Sequence, residues 1–190
     1  YKEFMSDIAE EIDRENKIIN DLLSMVKMDR KSADVNIQET GINEILERLL
    51  KRLRPIAAKR DIELVLESFK PVRAEVDETK LALALSNLIE NAIKYNKEEG
   101  WVHVSLNSDH KYFYVKVEDS GIGIPQEAQE HIFERFYRVD KSHSREIGGT
   151  GLGLAITRGA ILLHRGAIRV YSKEGEGTTF TVRIPLVHVE

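Results

Sequence analysis

Two asparagines, Asn87 and Asn91, stand one helical turn apart in the segment Asn-Leu-Ile-Glu-Asn-Ala-Ile-Lys-Tyr that runs from Asn87 to Tyr95. At i and i+4 on a helix their side chains share a face. An amide oxygen is a neutral, hard ligand that suits Mg²⁺, an ion that takes few protein oxygens and completes its shell with phosphate and water. Lys94, a further turn along, can set a point charge on a phosphate. A second segment, Asp119-Ser-Gly-Ile-Gly-Ile124, places a carboxylate after an apolar strand. There it can accept a hydrogen bond from an exocyclic amine such as adenine N6. Gly121 and Gly123 permit close backbone approach. A third, Gly148-Gly149-Thr150-Gly151-Leu152-Gly153-Leu154, opens an apolar helix, with Arg138, Lys141 and Arg145 nearby. Free N–H groups at such a helix start can face an anion. Taken singly, each segment has a plain alternative: an exposed polar helix face, an Asp-Ser-Gly turn before Pro125, and glycines that allow tight helix packing. Taken in this order, the three describe a nucleotide pocket. The third is not a P-loop, lacking Gly-Lys-Ser/Thr. It is not a Rossmann turn either, because a polar loop and not a strand precedes it.

The bulk composition narrows the classes further. The chain has 190 residues, 42% hydrophobic and 32% charged, an ordinary globular balance with room for one well-buried domain and an appendage. Its net charge of −4, from 28 basic and 32 acidic residues, is not the basic footprint of a nucleic-acid binder. No apolar run approaches the ~20 residues that span a bilayer. The absence of cysteine excludes disulfides and thiolate metal sites. With no initiator Met and no signal segment, the chain reads as part of a longer protein.

The elements that must position these residues can be read from periodicity. Tyr1 to about Asp29 predicts one helix, free of Gly and Pro. Met5, Ile12, Ile19 and Val26 recur every seven residues on it, with Ile8 and Leu22 at the complementary positions, a seam that wants a partner helix. The polar stretch from Asp29 to Asp34 marks the domain boundary, giving residues 1–30 and 31–190 as two units. Strands are expected over 35–39, 62–66, 72–76, 101–106 and 112–118. A helix is expected over 42–59, with Pro55 kinking or ending it. Another follows Asp77 as N-cap, with Leu81, Leu85, Leu88, Ile89 and Ala92 inward. Residues 127–133 read as a short helix, 137–148 as a mobile polar loop and 150–163 as an apolar helix. Residues 167–171 and 178–185 form a closing hairpin through Gly175-Glu-Gly177. The fold class is α+β: a two-layer sandwich of a mixed, largely antiparallel sheet with helices on one face, preceded by a long N-terminal helix.

The order of motifs also resembles a known family. Asn-x-x-x-Asn-Ala-x-Lys-Tyr, Asp-x-Gly-x-Gly-Ile, Phe133-Glu-Arg-Phe136-Tyr137-Arg138, Gly-Thr-Gly-Leu-Gly-Leu and Gly177-Thr178-Thr179-Phe180 follow one another. They resemble the N, G1, F and G2 boxes of the catalytic domain of bacterial sensor histidine kinases, over roughly Val35 to Leu186. The resemblance implies a Bergerat-type ATP site with a flexible lid, taking ATP or ADP with Mg²⁺. By matching position, Asn91 resembles the metal ligand with Asn87 beside it. Lys94 and Tyr95 resemble phosphate and ribose contacts, and Asp119 the carboxylate that reads adenine. Gly121, Gly123 and Ile124 belong to the turn under the base. Tyr137 and Arg138 stand at the start of the lid, Arg138 as a phosphate contact. Gly149, Thr150, Gly151, Leu152, Gly153 and Leu154 resemble the segment that closes on the phosphates. Thr178 or Thr179 is expected on the adenine side. The implied catalytic set is Asn87, Asn91, Lys94 and Arg138.

Related ATP-hydrolysing enzymes carry Glu one turn before the metal-binding Asn. Here that position is Asn87, and an amide cannot act as a general base. Glu90 is expected about 100° around the helix from Asn91, so it should not substitute for that Glu. The pattern therefore favours phosphoryl transfer to a protein side chain over hydrolysis. The family phosphorylates a His, followed by Glu or Asp, on the first helix of a dimerisation domain. None of the six histidines here stands in that context. Residues 1–30 resemble the second helix of that domain, without the helix that bears the acceptor. The expected partners are the chain's own dimerisation domain in a homodimer and the receiver domain of a response regulator. Nucleic acid is not expected, and a membrane only through segments of the parent outside this sequence. The expected setting is cytoplasmic, on a parent in the bacterial inner or plasma membrane. An ATPase of the same superfamily, a serine-directed relative such as an anti-sigma-factor kinase, and a non-catalytic scaffold stand as alternatives.

Overall fold

A computed structural model describes residues 1–29, 34–139 and 151–189. Helix α1 (Lys2–Asp29) leads, followed by β1 (Gln38–Gly41), α2 (Ile42–Ala58), β2 (Glu63–Ser68), β3 (Arg73–Val76) and α3 (Glu78–Lys94). After these come β4 (Trp101–Ser108), β5 (Tyr112–Asp119), a 3₁₀ turn (Gln126–Ala128), α4 (Gly153–Leu163), β6 (Ala167–Lys173) and β7 (Gly177–Pro185). Five strands form one sheet in the order β2-β4-β5-β7-β6. Only β2 and β4 run parallel; the other neighbours are antiparallel. Strands β1 and β3 form a separate antiparallel pair.

Strict alternation divides the sheet into two faces. Val102, Val104, Leu106, Phe113, Val115, Val117, Phe180, Val182 and Ile184 are buried in one core with Leu46, Leu50 and Leu53 of α2 and Leu81, Leu85, Leu88 and Ile89 of α3. The pairings Val104↔Val117 and Val115↔Val182 keep that face in register. The other face carries Trp101 stacked on His103 and Arg183 over the ring of Tyr112. The expected α+β two-layer architecture is therefore the observed one.

Several boundaries differ from the sequence reading. Residues 126–133 do not form an α-helix. Bonds from Ala128 N–H to Pro125 O, His131 N–H to Ala128 O and Glu134 N–H to His131 O make a chain of i→i+3 turns. Helix α4 starts at Gly153 and not at residue 150, because Gly151 has φ +79 and turns the backbone out of helical space. The helix expected over 42–59 is observed as α2, which runs past Pro55 to Ala58 with Leu53 and Ala57, on either side of the proline, both buried. Residues 140–148 of the expected loop, together with Gly149 and Thr150, lie outside the described residues, as do residues 30–33 at the expected domain boundary.

Helix α1 has two distinct stripes. Met5, Ile8, Ile12, Ile19, Leu22 and Val26, the heptad seam, are exposed. Met25 is buried and packs with Leu152 and Ile156 against α4. No described helix is long and apolar enough to cross a membrane.

The start of α3 is fixed by a buried polar cluster. Asp77 caps the helix by accepting from Lys80 N–H at 3.1 Å and also accepts from Asn36 N–H at 3.0 Å. His164, at the end of α4, has Nδ1 2.7 Å from Ala160 O. A carbonyl only accepts, so Nδ1 carries the proton and Nε2 is left to accept from Asp77 N–H at 3.0 Å. Burial pulls the His164 pKa below the ordinary 6.5. A base whose folded pKa is depressed favours the unfolded chain on protonation, so stability falls as pH drops below that value. His164→Ala, which leaves the Asp77 N–H without its acceptor, is expected to cost about 1–3 kcal/mol at neutral pH. Urea denaturation of both chains at neutral and mildly acidic pH checks this, with a smaller acid loss expected in the variant.

Candidate functional site

Burial of the apolar stripe of α3 leaves Asn87, Asn91 and Lys94 on the opposite side of the helix, half-buried. The helix end is then locked to the turn after β5. Ile122 N–H donates to Tyr95 O at 3.0 Å. Gly121 lies so close that a Cβ there would sit 2.3 Å from Tyr95 O. Buried Asn96 donates to Trp101 O at 2.9 Å and accepts from Ser120 Oγ at 3.0 Å, while Ser120 Oγ accepts from Trp101 N–H at 2.8 Å. Arg60, in the turn after α2, donates to Ile93 O, to Lys94 O at 2.8 Å and to Asn96 O. Ile93 O and Lys94 O belong to the last turn of α3, where carbonyls run out of partners within the helix, and Asn96 O lies just beyond it.

Asp119 stands at the end of β5, paired in register with Thr178 of β7. Its Oδ1 accepts from Gly121 N–H at 2.9 Å and from Thr178 N–H at 3.2 Å, which leaves Oδ2 for a ligand. Burial pushes the Asp119 carboxyl up to about 6, although those two backbone donors pull it down. The following turn needs Gly123 at φ +72, where a Cβ would lie 2.3 Å from Lys173 O.

The glycine segment reaches the same place from the other side. Asn87 Nδ2 donates to Gly153 O at 3.3 Å, so its Oδ1 remains for a cation. Thr157 Oγ1 donates to the same carbonyl at 2.9 Å. Gly151 O accepts from Phe136 N–H at 2.8 Å, joining the aromatic segment to the glycine segment. Phe136 adopts φ +63 there, uncommon for a non-glycine residue.

Between these walls lies a cavity of about 230 Å³. Of the expected residues, Asn87, Asn91, Lys94, Tyr95, Asp119, Gly123, Ile124, Tyr137, Arg138, Gly151, Gly153, Leu154 and Thr178 line it. Gly121 supports the floor from behind, and Leu152 is buried beneath with Met25 and Ile156. Thr179 pairs with Glu118 and Tyr171 in the sheet and does not line the cavity. Glu90, not among the expected site residues, also borders the cavity. Its carboxylate accepts from Ser86 Oγ at 3.4 Å, and Ser86 accepts in turn from Arg52 of α2. A side chain of this length covers more of the helix surface than its backbone angle indicates. Sequence reasoning also missed Lys17 and Asp21 of α1, Ile132 and Phe180, all on the cavity wall. Lys94 feels α1 directly. Burial, then the like charge of Lys17, lowers its pKa to about 8 against the opposing pull of Glu90 and Asp21.

Residues 76–188 match the family model described as histidine kinase-, DNA gyrase B- and HSP90-like ATPase. The chain belongs to this family. Its relatives are sensor kinases. Sensor protein kinase WalK of Staphylococcus epidermidis is 37% identical over 190 residues, 98% of this chain and 31% of WalK. The chain thus spans about a third of the length of the curated relatives it matches. The catalytic domain of histidine kinase ThkA superposes with a TM-score of 0.71 at 30% identity, over 80% of this chain and 97% of that domain. ThkA in complex with the response regulator protein TrrA gives 0.78 at 26% identity, over 97% of this chain and 51% of that one. Full-length ShkA in complex with AMPPNP gives 0.85 at 25% identity, over 99% of this chain and 39% of ShkA. The chain carries a catalytic ATP-binding domain of the sensor histidine kinase type.

The contact at Gly121 yields a structural test. Gly121→Ala must drive the Tyr95 carbonyl away from the turn and is expected to cost about 2 kcal/mol or more. Equilibrium urea denaturation measures the loss.

Proposed function

We propose that the cavity binds ATP with Mg²⁺ and that the chain transfers the γ-phosphoryl group to a His on a dimerisation domain, for relay to an Asp of a response regulator receiver domain. One observation carries this reading: Asn87, Asn91 and Lys94 share a cavity with the buried carboxylate of Asp119. Asp119 Oδ2 accepts from the adenine exocyclic amine, and Gly123 and Ile124 lie under the ring. Tyr95 and Thr178 complete the nucleoside end. The amide oxygens of Asn91 and Asn87 suit a hard divalent ion, and their neutrality leaves the remaining sites of its shell to phosphate oxygens and water. When bound, Mg²⁺ offsets the negative charge on the phosphates. Lys94 and Arg138 hold the phosphate oxygens, and Gly151, Gly153 and Leu154 form the wall facing them. The acceptor imidazole nitrogen forms its bond to the γ-phosphorus as the bond to the bridging oxygen breaks, and the electron pair leaves on ADP. The protein's share is positioning and charge neutralisation.

Asn87 argues for transfer over hydrolysis, since its amide takes no proton from water. Glu90, which also borders the cavity, is held by Ser86 and lies beside Lys94. Residues 1–30 act as the second helix of the dimerisation domain and residues 31–190 as the catalytic domain, in a homodimer whose bundle the exposed seam of α1 joins. The whole protein works at the cytoplasmic face of a bacterial membrane.

Incubation with Mg²⁺, labelled ATP and a separately supplied dimerisation domain bearing its His is expected to label that domain. Steady phosphate release without an acceptor would favour an ATPase instead. Asn91→Ala is expected to lower transfer by at least about 100-fold while the fold persists. Asp119→Asn is expected to weaken AMPPNP binding by about tenfold or more. The ionised carboxylate is the accepting form, so wild-type affinity should fall as pH drops through about 6. The Asp119→Asn profile should be flat there, which calorimetry across that range tests.

A further inference from the structure

We infer that Lys17 of α1 is a further phosphate-binding cation of the cavity, beside Lys94 and Arg138, so that an anionic nucleotide and the docked N-terminal helix hold each other in place. The inference rests on the reading of the cavity as the ATP site, but Lys17 belongs to none of the nucleotide motifs.

Its position follows from how α1 docks. Met25 is buried against Leu152 and Ile156, directly below the glycine segment. One and two turns back along the same stripe, Asp21 and Ile18 are half-buried. Lys17, on the edge of that stripe, lies on the cavity wall with Asp21, facing the wall formed by Asn91 and Lys94. Lys17 and Lys94 come close enough for their ammonium groups to disturb one another. Neither ammonium can accept a hydrogen bond, so the two cannot satisfy each other. Among the described residues, charges of both signs stand near them. Asp21 of α1 and Glu90 of α3 lie beside them, and Arg138 adds a third cation on the wall. Asp119 gives Oδ1 to Gly121 and Thr178. A polyphosphate, with oxygens enough to accept from both lysines at once, turns a like-charge approach into a bridged one. Because one of those lysines is on α1, the bridge ties the helix to the catalytic domain.

The test uses the whole chain with Mg²⁺ and AMPPNP, ADP or AMP as the titrant in calorimetry. Lys17→Gln is expected to weaken AMPPNP binding by about 3- to 10-fold, with less effect on ADP and none on AMP. Lys17→Arg keeps the charge and is expected to restore most of the affinity. In hydrogen exchange, AMPPNP is expected to slow the amides of Lys2–Asp29 in the wild type and to do so less in Lys17→Gln. Lys17 is exposed, so circular dichroism should show both variants folded. If the wild type binds AMPPNP and Lys17→Gln binds it equally, the inference is overturned while the ATP site stands. An equal loss for AMP and AMPPNP also overturns it. Failure of the wild type to bind any of the three nucleotides removes the ATP reading itself, and this inference with it.

Discussion

The last turn of α3 cannot move independently of the turn after β5. Ile122 N–H is bonded to Tyr95 O, and the space beside that carbonyl admits nothing larger than Gly121. This contact fixes the separation between the amides and ammonium on α3 and the carboxylate at the end of β5. The surrounding groups reinforce it. Asn96 and Ser120 join the same turn to the start of β4, and Arg60 collects the carbonyls at the end of α3. A site assembled from a helix, a strand end and a glycine turn is thereby held as one rigid unit.

The sheet and the core set the remaining coordinates. The register of β5 against β7 places Thr178 opposite Asp119 and lets one backbone N–H support the carboxylate. Burial of the apolar stripe of α3 decides which face of that helix the cavity receives. The far end of α3 is secured by Asp77 and His164, so α4 and α3 are joined both there and at Asn87 and Gly153. The two elements that would enclose the phosphates are therefore indexed to each other at two points.

Much of this was readable in the sequence because it is periodic or local. The spacing of Leu81, Leu85, Leu88 and Ile89 specifies one buried face, and Asp77 before Glu78 specifies a cap. The alternation through Val102, Val104 and Leu106 gives a strand with one buried face. What escaped was non-local or weakly patterned. Residues 126–133 hold too few apolar positions to separate an α-helix from successive i→i+3 turns. Arg60 meets carbonyls more than thirty residues away, a separation that no local pattern encodes. Lys17 and Asp21 reach the cavity only because of where α1 crosses α4. The stripe that docks, with Met25 in it, is not the heptad stripe that dominates the sequence.

That crossing point has a mechanical consequence. Helix α1 meets the catalytic domain over its C-terminal part, from Lys17 on the cavity wall to buried Met25, and its N-terminal residues are exposed. At 1.5 Å per residue the arm beyond the cavity wall, from Lys17 back to Lys2, is roughly 23 Å long. A tilt of about 10° of that arm would then displace the tip by roughly 4 Å. Small adjustments beneath the glycine segment are geared up along this arm, and a force applied at its tip acts on the Leu152 contact with the same mechanical advantage.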